Sequence, residues 1–255
     1  MFNSIVSAFL MYSRIPMPKV EWKEENRRYS LAFFPLIGIF IGIAETLWRI
    51  VCSRLSFGNI VFSAVFTVIP VLITGGIHLD GFCDVSDAHA SYGDKQKKLE
   101  IMKDSHIGAF ALIRLAVYLI VYTAFVSEIS TVRETVVISC GFVLSRSLSG
   151  ISAVTFKSAK STGSLQDFVK PAHRKITVGI LSFWIFISVV LAVWIGRISG
   201  TVLILSNVAM FFYYRSYSYK NFGGVTGDLS GWFLQMCEIL TVISTVTAEK
   251  LTGGI

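Results

Sequence analysis

The chain has 255 residues, 53% of them hydrophobic and 15% charged, with a mean hydropathy of +0.65. A water-soluble domain carries about 25% charged residues, so that class is excluded in favour of an all-α, polytopic integral membrane protein. Its length suits one membrane-embedded domain over 1–255, and its net charge of +7 acquires meaning only when divided between the two sides of a bilayer.

At the N-terminus, Phe2, Ile5, Val6, Phe9 and Leu10 recur at helical spacing, with Asn3, Ser4 and Ser7 opposite. This predicts a short amphipathic helix, at the interface or packed under the bundle. The segment has no early Lys or Arg and no small-residue cleavage site, so it does not read as a secretory signal. Seven spans follow, at about 31–52, 60–77, 108–126, 135–156, 176–196, 198–214 and 229–247. Only a few residues around Arg197–Gly200 join the fifth and sixth, which predicts a tight helical hairpin. No internal repeat is visible, which counts against a transporter built from inverted repeats. Cysteines 52, 83, 140 and 237 form no CxxC and no zinc spacing, so neither disulfides nor zinc are expected.

The basic residues divide unevenly. Sixteen Lys/Arg lie in the segment 1–30 and the loops 78–107, 157–175 and 215–228, against five in the alternate connections. That asymmetry predicts a cytoplasmic N-terminus and three cytoplasmic polar loops. One of those loops holds "GGIHLDGFCDVSDAHASYGD", residues 75–94. Asp80, Asp84 and Asp87 are spaced i, i+4, i+7, within about 60° of one another on a helix. Like charges so placed repel, and a divalent cation bridging to a phosphate gives them a common purpose. Leu79, Phe82 and Val85 make the same stretch packable, whereas "DKQKK" (94–98) reads as solvated surface. Oxygen-rich surroundings favour Mg²⁺ or Mn²⁺ over zinc, with His78 in a hydrogen-bonding role.

"FGGVTGDLSG", residues 222–231, is a second constellation. Its glycines let backbone N–H groups approach an anion, although a glycine-rich turn with Asp228 as helix cap accounts for it equally. Within the spans lie Arg114, Arg146, Glu45 and Glu238, where charge is expensive and usually functional. Arg146 either pairs with an acid such as Glu45 or meets a phosphate. Gly141, Ser145 and Ser149 form a small-residue seam beside it. Residue chemistry thus points to a membrane site, facing the cytoplasm and dependent on Mg²⁺, that handles a phosphate.

Four blocks carry a resemblance: "SRIPMP" (13–18), "GGIHLDGFCDVSDA" (75–88), "KKLEIMKDSHIGAFA" (97–111) and "GGVTGDLSGWFLQMCE" (223–238). In order and separation they resemble the cobalamin synthase (adenosylcobinamide-GDP ribazoletransferase) family. Ala88 stands where many relatives have glycine, and Lys103 and His106 where many have arginine. The resemblance implies transfer from adenosylcobinamide-GDP to α-ribazole, or its 5′-phosphate, with release of GMP. It also implies roles. Asp80, Asp84, Asp87 and Asp228 would hold Mg²⁺ (or Mn²⁺), and Asp80, Asp84, Asp87 and Asp104 would be the catalytic carboxylates. Arg14, His78, Lys103, Arg146, Gly223, Gly224, Thr226 and Glu238 would bind substrate. The implied setting is a prokaryotic cytoplasmic (inner) membrane, with small-molecule substrates and the lipid bilayer as partners. No nucleic acid is expected, and a homo-oligomer or association with other cobalamin-assembly enzymes is compatible with it. Two rivals share some features. A CDP-alcohol phosphatidyltransferase-like enzyme uses the same aspartate logic, but its later Ala-Arg is absent near "HLDG". A cation-coupled transporter would place such carboxylates mid-span.

Overall fold

A computed structural model describes residues 1–104, 106–160 and 164–253 of the chain. The amphipathic segment forms α1 (Phe2–Tyr12), but its faces differ from the sequence reading. Val6 and Phe9 turn inward as expected, together with Ser4, Ser7 and Ala8, while Phe2 and Leu10 turn outward. Small side chains let α1 lie close on its neighbours. After α2 (Glu24–Arg27) and a 3₁₀ turn (Ser30–Phe33) comes α3 (Phe34–Leu55). Pro35 lies in its first turn, where a missing N–H costs no hydrogen bond.

The next helix, α4 (Asn59–Thr74), ends at Gly75 and Gly76, both left-handed with φ of 68° and 78°. Side chains rarely tolerate that region, and a Cβ on Gly75 would also lie 2.5 Å from the Arg14 side chain. These glycines turn the chain through 95° into α5 (Ile77–Ala90), the helix that carries the aspartates. Then come α6 (Lys95–Ile101), α7 (Ala109–Val126), α8 (Val132–Thr155), α9 (Ser164–Val169), α10 (Arg174–Gly196), α11 (Ile198–Phe222) and α12 (Gly227–Thr252). Asp94 caps α6 by accepting from the Lys97 N–H at 2.9 Å, in keeping with a solvated "DKQKK". The hairpin between α10 and α11 turns on Arg197 alone, with φ 49°. Gly200 has no room for a Cβ against the Ala192 carbonyl.

The centre of the bundle is α8, packed on α3, α10, α11 and α12. Of its most apolar stretch 83% is buried, against 22% in α7 and α10. Large apolar side chains such as Ile113, Ile120, Phe186 and Trp194 are left exposed on those two outer helices. Apolar surface this extensive, unpartnered in water, suits a bilayer. Among the described residues, five stretches are long and apolar enough to cross a membrane, and the bent pair α4–α5 would make a sixth. The sixth expected span, 198–214, falls in α11, which is long enough but less apolar, because Tyr213, Arg215 and Lys220 interrupt its second half.

Charges sort to the two ends. At one end Arg133 pairs with Glu249 and Lys250 with Glu128, each at 2.6 Å, and Arg49 donates to the Ser130 carbonyl. At the other end the polar connections meet: Ser158 bridges to Val225, Asp87 meets Gly108, and the His173 N–H donates to the Arg28 carbonyl. The basic-rich and basic-poor connections of the sequence thus fall on opposite ends.

Candidate active site

At the polar end α5 crosses α12 almost backbone to backbone. A Cβ on Gly81 would lie 2.6 Å from the Asp228 carbonyl oxygen, and one on Gly231 3.1 Å from that of His78. Only glycine on both helices allows this approach, and it brings Asp80 and Asp84 beside Asp228. Their proximity is felt at Asp84. Its carboxyl is pushed up to about 7 by burial and then by the charges of Asp80, Asp228 and Asp87, with Lys160 pulling the other way.

A cavity of about 860 Å³ opens over α5. Asp80, Asp84, Asp87 and Asp104 line it, with Arg14 and Lys103 as its cations. Arg14 reaches it from the N-terminal segment, anchored by its backbone N–H to the Ile73 carbonyl at 2.7 Å. Four expected carboxylates and two expected phosphate contacts, far apart in sequence, therefore face one space.

Other expected residues are placed differently. Asp87 lines the cavity, but both its oxygens are occupied: Gly108 N–H donates to Oδ2 at 2.6 Å and Ala111 N–H to Oδ1 at 2.8 Å. It satisfies the free N–H groups at the start of α7, as capping carboxylates do. Asp104 accepts from His106, both from its backbone N–H at 3.0 Å and at its ring at 2.7 Å, which holds its carboxyl below the usual range.

The cap of α12 is Thr226, which accepts from Leu229 N–H at 3.1 Å, and not Asp228. The Thr226 hydroxyl is thereby committed to the helix, and Asp228 is left in the first turn with Lys160 at 3.9 Å. Gly223 ends α11 with φ 81°, and Gly224 admits the backbone of Lys157–Ala159, too close for any Cβ. Neither lines the large cavity; the glycines serve turn and packing.

Arg146 is fully buried and pairs with Glu238 at 2.8 Å, not with Glu45, whose oxygens have no hydrogen-bond partner among the described residues. Both lie away from the large cavity. His78 is buried, and its pKa is lowered to about 3 by desolvation and then by Arg146. Its Nε2 has no hydrogen-bond partner among the described residues. The residue the sequence reading missed is Lys160. It stood there only as one basic residue of a loop, and nothing in local spacing ties it to Asp84 and Asp228.

Among the described residues no three His, Cys, Asp or Glu side chains converge into a ready-made metal cage. Mg²⁺ does not demand one, since it is usually held by one or two carboxylates together with substrate phosphates and waters. The all-oxygen pair Asp80 and Asp84 fits that pattern, and a cation there would relieve the crowding felt at Asp84.

The sequence pattern of the cobalamin-5-phosphate synthase family matches residues 4–246. A protein of Lachnoclostridium phytofermentans named adenosylcobinamide-GDP ribazoletransferase is 43% identical over 248 residues, covering 97% of this chain and 94% of its own. Proteins of the same name are 33% identical in a Geobacillus species, covering 88% of this chain and 87% of their own, and 29% identical in Clostridium botulinum, covering 96% and 97%. No solved structure matches the chain. A match that runs from α1 through α12 and takes in every wall of the cavity leaves one assignment: the chain belongs to the cobalamin-5-phosphate synthase family.

Proposed function

We propose that the chain joins adenosylcobinamide-GDP to α-ribazole, or to its 5′-phosphate, and releases GMP. The observation that carries this reading is the cavity wall: carboxylates Asp80 and Asp84 facing cations Arg14 and Lys103 in a space of about 860 Å³. Phosphoryl transfer asks a protein mainly for positioning and charge neutralisation. The acceptor hydroxyl oxygen bonds to the phosphorus on the aminopropanol arm, the bond from that phosphorus to GMP breaks, and the hydroxyl proton passes to a carboxylate. Asp228 is the acceptor of that proton, because Asp87 is committed to α7 and Asp104 to His106. Arg14 and Lys103 hold the diphosphate, and Lys160 adds a cation beside Asp228. Asp80 and Asp84 would hold Mg²⁺ (or Mn²⁺), which when bound supplies neutralising charge against the diphosphate.

The excess of Lys/Arg at this end supports its lying on the cytoplasmic side of a bacterial inner membrane. Purified protein given Mg²⁺, adenosylcobinamide-GDP and α-ribazole should release GMP as the corrinoid's visible spectrum changes. EDTA should abolish turnover, and zinc should not restore it. Full activity in excess chelator would remove the metal from this account, and no turnover with Mg²⁺ would remove the reaction.

A further inference from the structure

A second cavity, of about 110 Å³, adjoins the first, and the two share Met11, Ile77 and Asp80 in their walls. Its surroundings are of another kind. Three rings meet there: Tyr12 and Phe34 with centroids 4.3 Å apart, and His78 edge-on to Phe34 at 5.9 Å. From α8 come the small residues Ser149, Gly150 and Ala153, which leave the space open. Asp80 and Asp228 bring carboxylates to it. His78 is only 5% exposed, yet its Nε2 lacks a hydrogen-bond partner among the described residues.

We infer that this smaller cavity is the acceptor subsite and takes the planar aromatic base of the incoming nucleoside. The inference rests on the transferase reading and divides its substrates between two spaces. Size argues first: at about 110 Å³ the cavity is below the roughly 150 Å³ that holds a benzene ring, so it seats the leading edge of a flat base, the rest lying toward the larger cavity, and is far too small for a corrin macrocycle. The donor, with its macrocycle and diphosphate, belongs in the larger, charged space. Chemistry argues next, because the flat rings of Tyr12 and Phe34 can pack on the face of an aromatic base. Placement completes it. With the base beside Tyr12 and Phe34, the sugar emerges near Asp80 and Asp228, where the two cavities join. An acyl chain would leave both carboxylates unmatched.

The test uses the full chain in detergent and two opposite substitutions. Ala153→Phe fills the cavity. Equilibrium dialysis without donor should show α-ribazole affinity falling at least about tenfold, and the KM for α-ribazole should rise similarly while the donor KM stays within about twofold. Leu165→Ala enlarges the same cavity, and should improve kcat/KM for a nucleoside with a bulkier fused-ring base relative to α-ribazole, a gain that misfolding cannot produce. Unchanged nucleoside binding in Ala153→Phe, a rise in donor KM instead, or no change in base preference in Leu165→Ala would each overturn the assignment. So would displacement of bound α-ribazole by phospholipid alone. Specific α-ribazole binding lost in Ala153→Phe, in a protein that turns over no donor, would uphold the subsite and sink the transferase reading.

Discussion

The crossing of α5 over α12 is the most demanding contact at the site, and Gly81→Ala strikes it directly. The new Cβ would sit 2.6 Å from the Asp228 carbonyl oxygen and 2.9 Å from its Cα, whereas ordinary contact begins near 3.4 Å. Because the obstacle is backbone, the helices must part by several tenths of an ångström. Overpacking of this kind costs about 1–3 kcal/mol of stability. It also moves Asp80 and Asp84 away from Asp228, and a misplacement approaching 1 Å at a reacting centre costs roughly 10²-fold in rate. Gly42→Ala is the matched control. Its Cβ would lie 2.5 Å from the Ser139 Cβ, between α3 and α8, and Gly42 lines neither cavity at the polar end. Thermal unfolding in detergent should show similar losses for the two variants, while GMP release at saturating substrate should collapse only for Gly81→Ala. Wild-type turnover in Gly81→Ala, or equal loss of turnover in both, would refute the claim that this crossing sets the catalytic geometry.

Asp84→Asn keeps shape and removes charge, so turnover should fall at least about 100-fold with no loss of melting temperature, while Asp94→Asn, which still caps α6, changes little. Asp84 titrates near 7 in the fold and near 3.9 when unfolded. Stability from its neutral form is therefore full below the unfolded value and is lost as pH rises through about 7. The melting temperature of the metal-free wild type should accordingly drop between pH 5 and pH 8, and that slope should flatten in Asp84→Asn; identical slopes would contradict the crowding at Asp84. Asp87→Ala should behave oppositely, losing about 0.5–2 kcal/mol of stability through the uncapped start of α7, and an unchanged melting temperature would dismiss the cap. For orientation, Gln96→Cys in α6 should react with a membrane-impermeant thiol reagent only in inside-out vesicles, and labelling of intact cells would reverse the topology.

Much of this architecture is legible in one dimension because bilayers impose strong local rules. Apolar runs set the helix positions to within a few residues except at α11, which runs on to Phe222, Lys/Arg counts separate the two ends, and spacing alone places Asp80, Asp84 and Asp87 on one helix face. The motif blocks, being contiguous, also carried the family. What needed the tertiary structure is everything that depends on which helix faces which. "GGVTGDLSG" reads either as an anion-binding loop or as a turn capped by Asp228, yet Gly223 and Gly224 answer to the end of α11 and the backbone of Lys157–Ala159, and the cap is Thr226. Asp87 is indistinguishable from Asp84 by spacing and differs only because α7 begins against it. Arg146 could have met Glu45 or a phosphate, and the packing of α8 on α12 gave it Glu238. Lys160 and the ring-lined cavity had no sequence signature, since their members come from α1, α3, α5, α8, α12 and a loop. Spacing reports contacts within one helix, where geometry is fixed by hydrogen bonds four residues apart. Contacts between helices are set by packing of the whole bundle, and there this protein assembles its site.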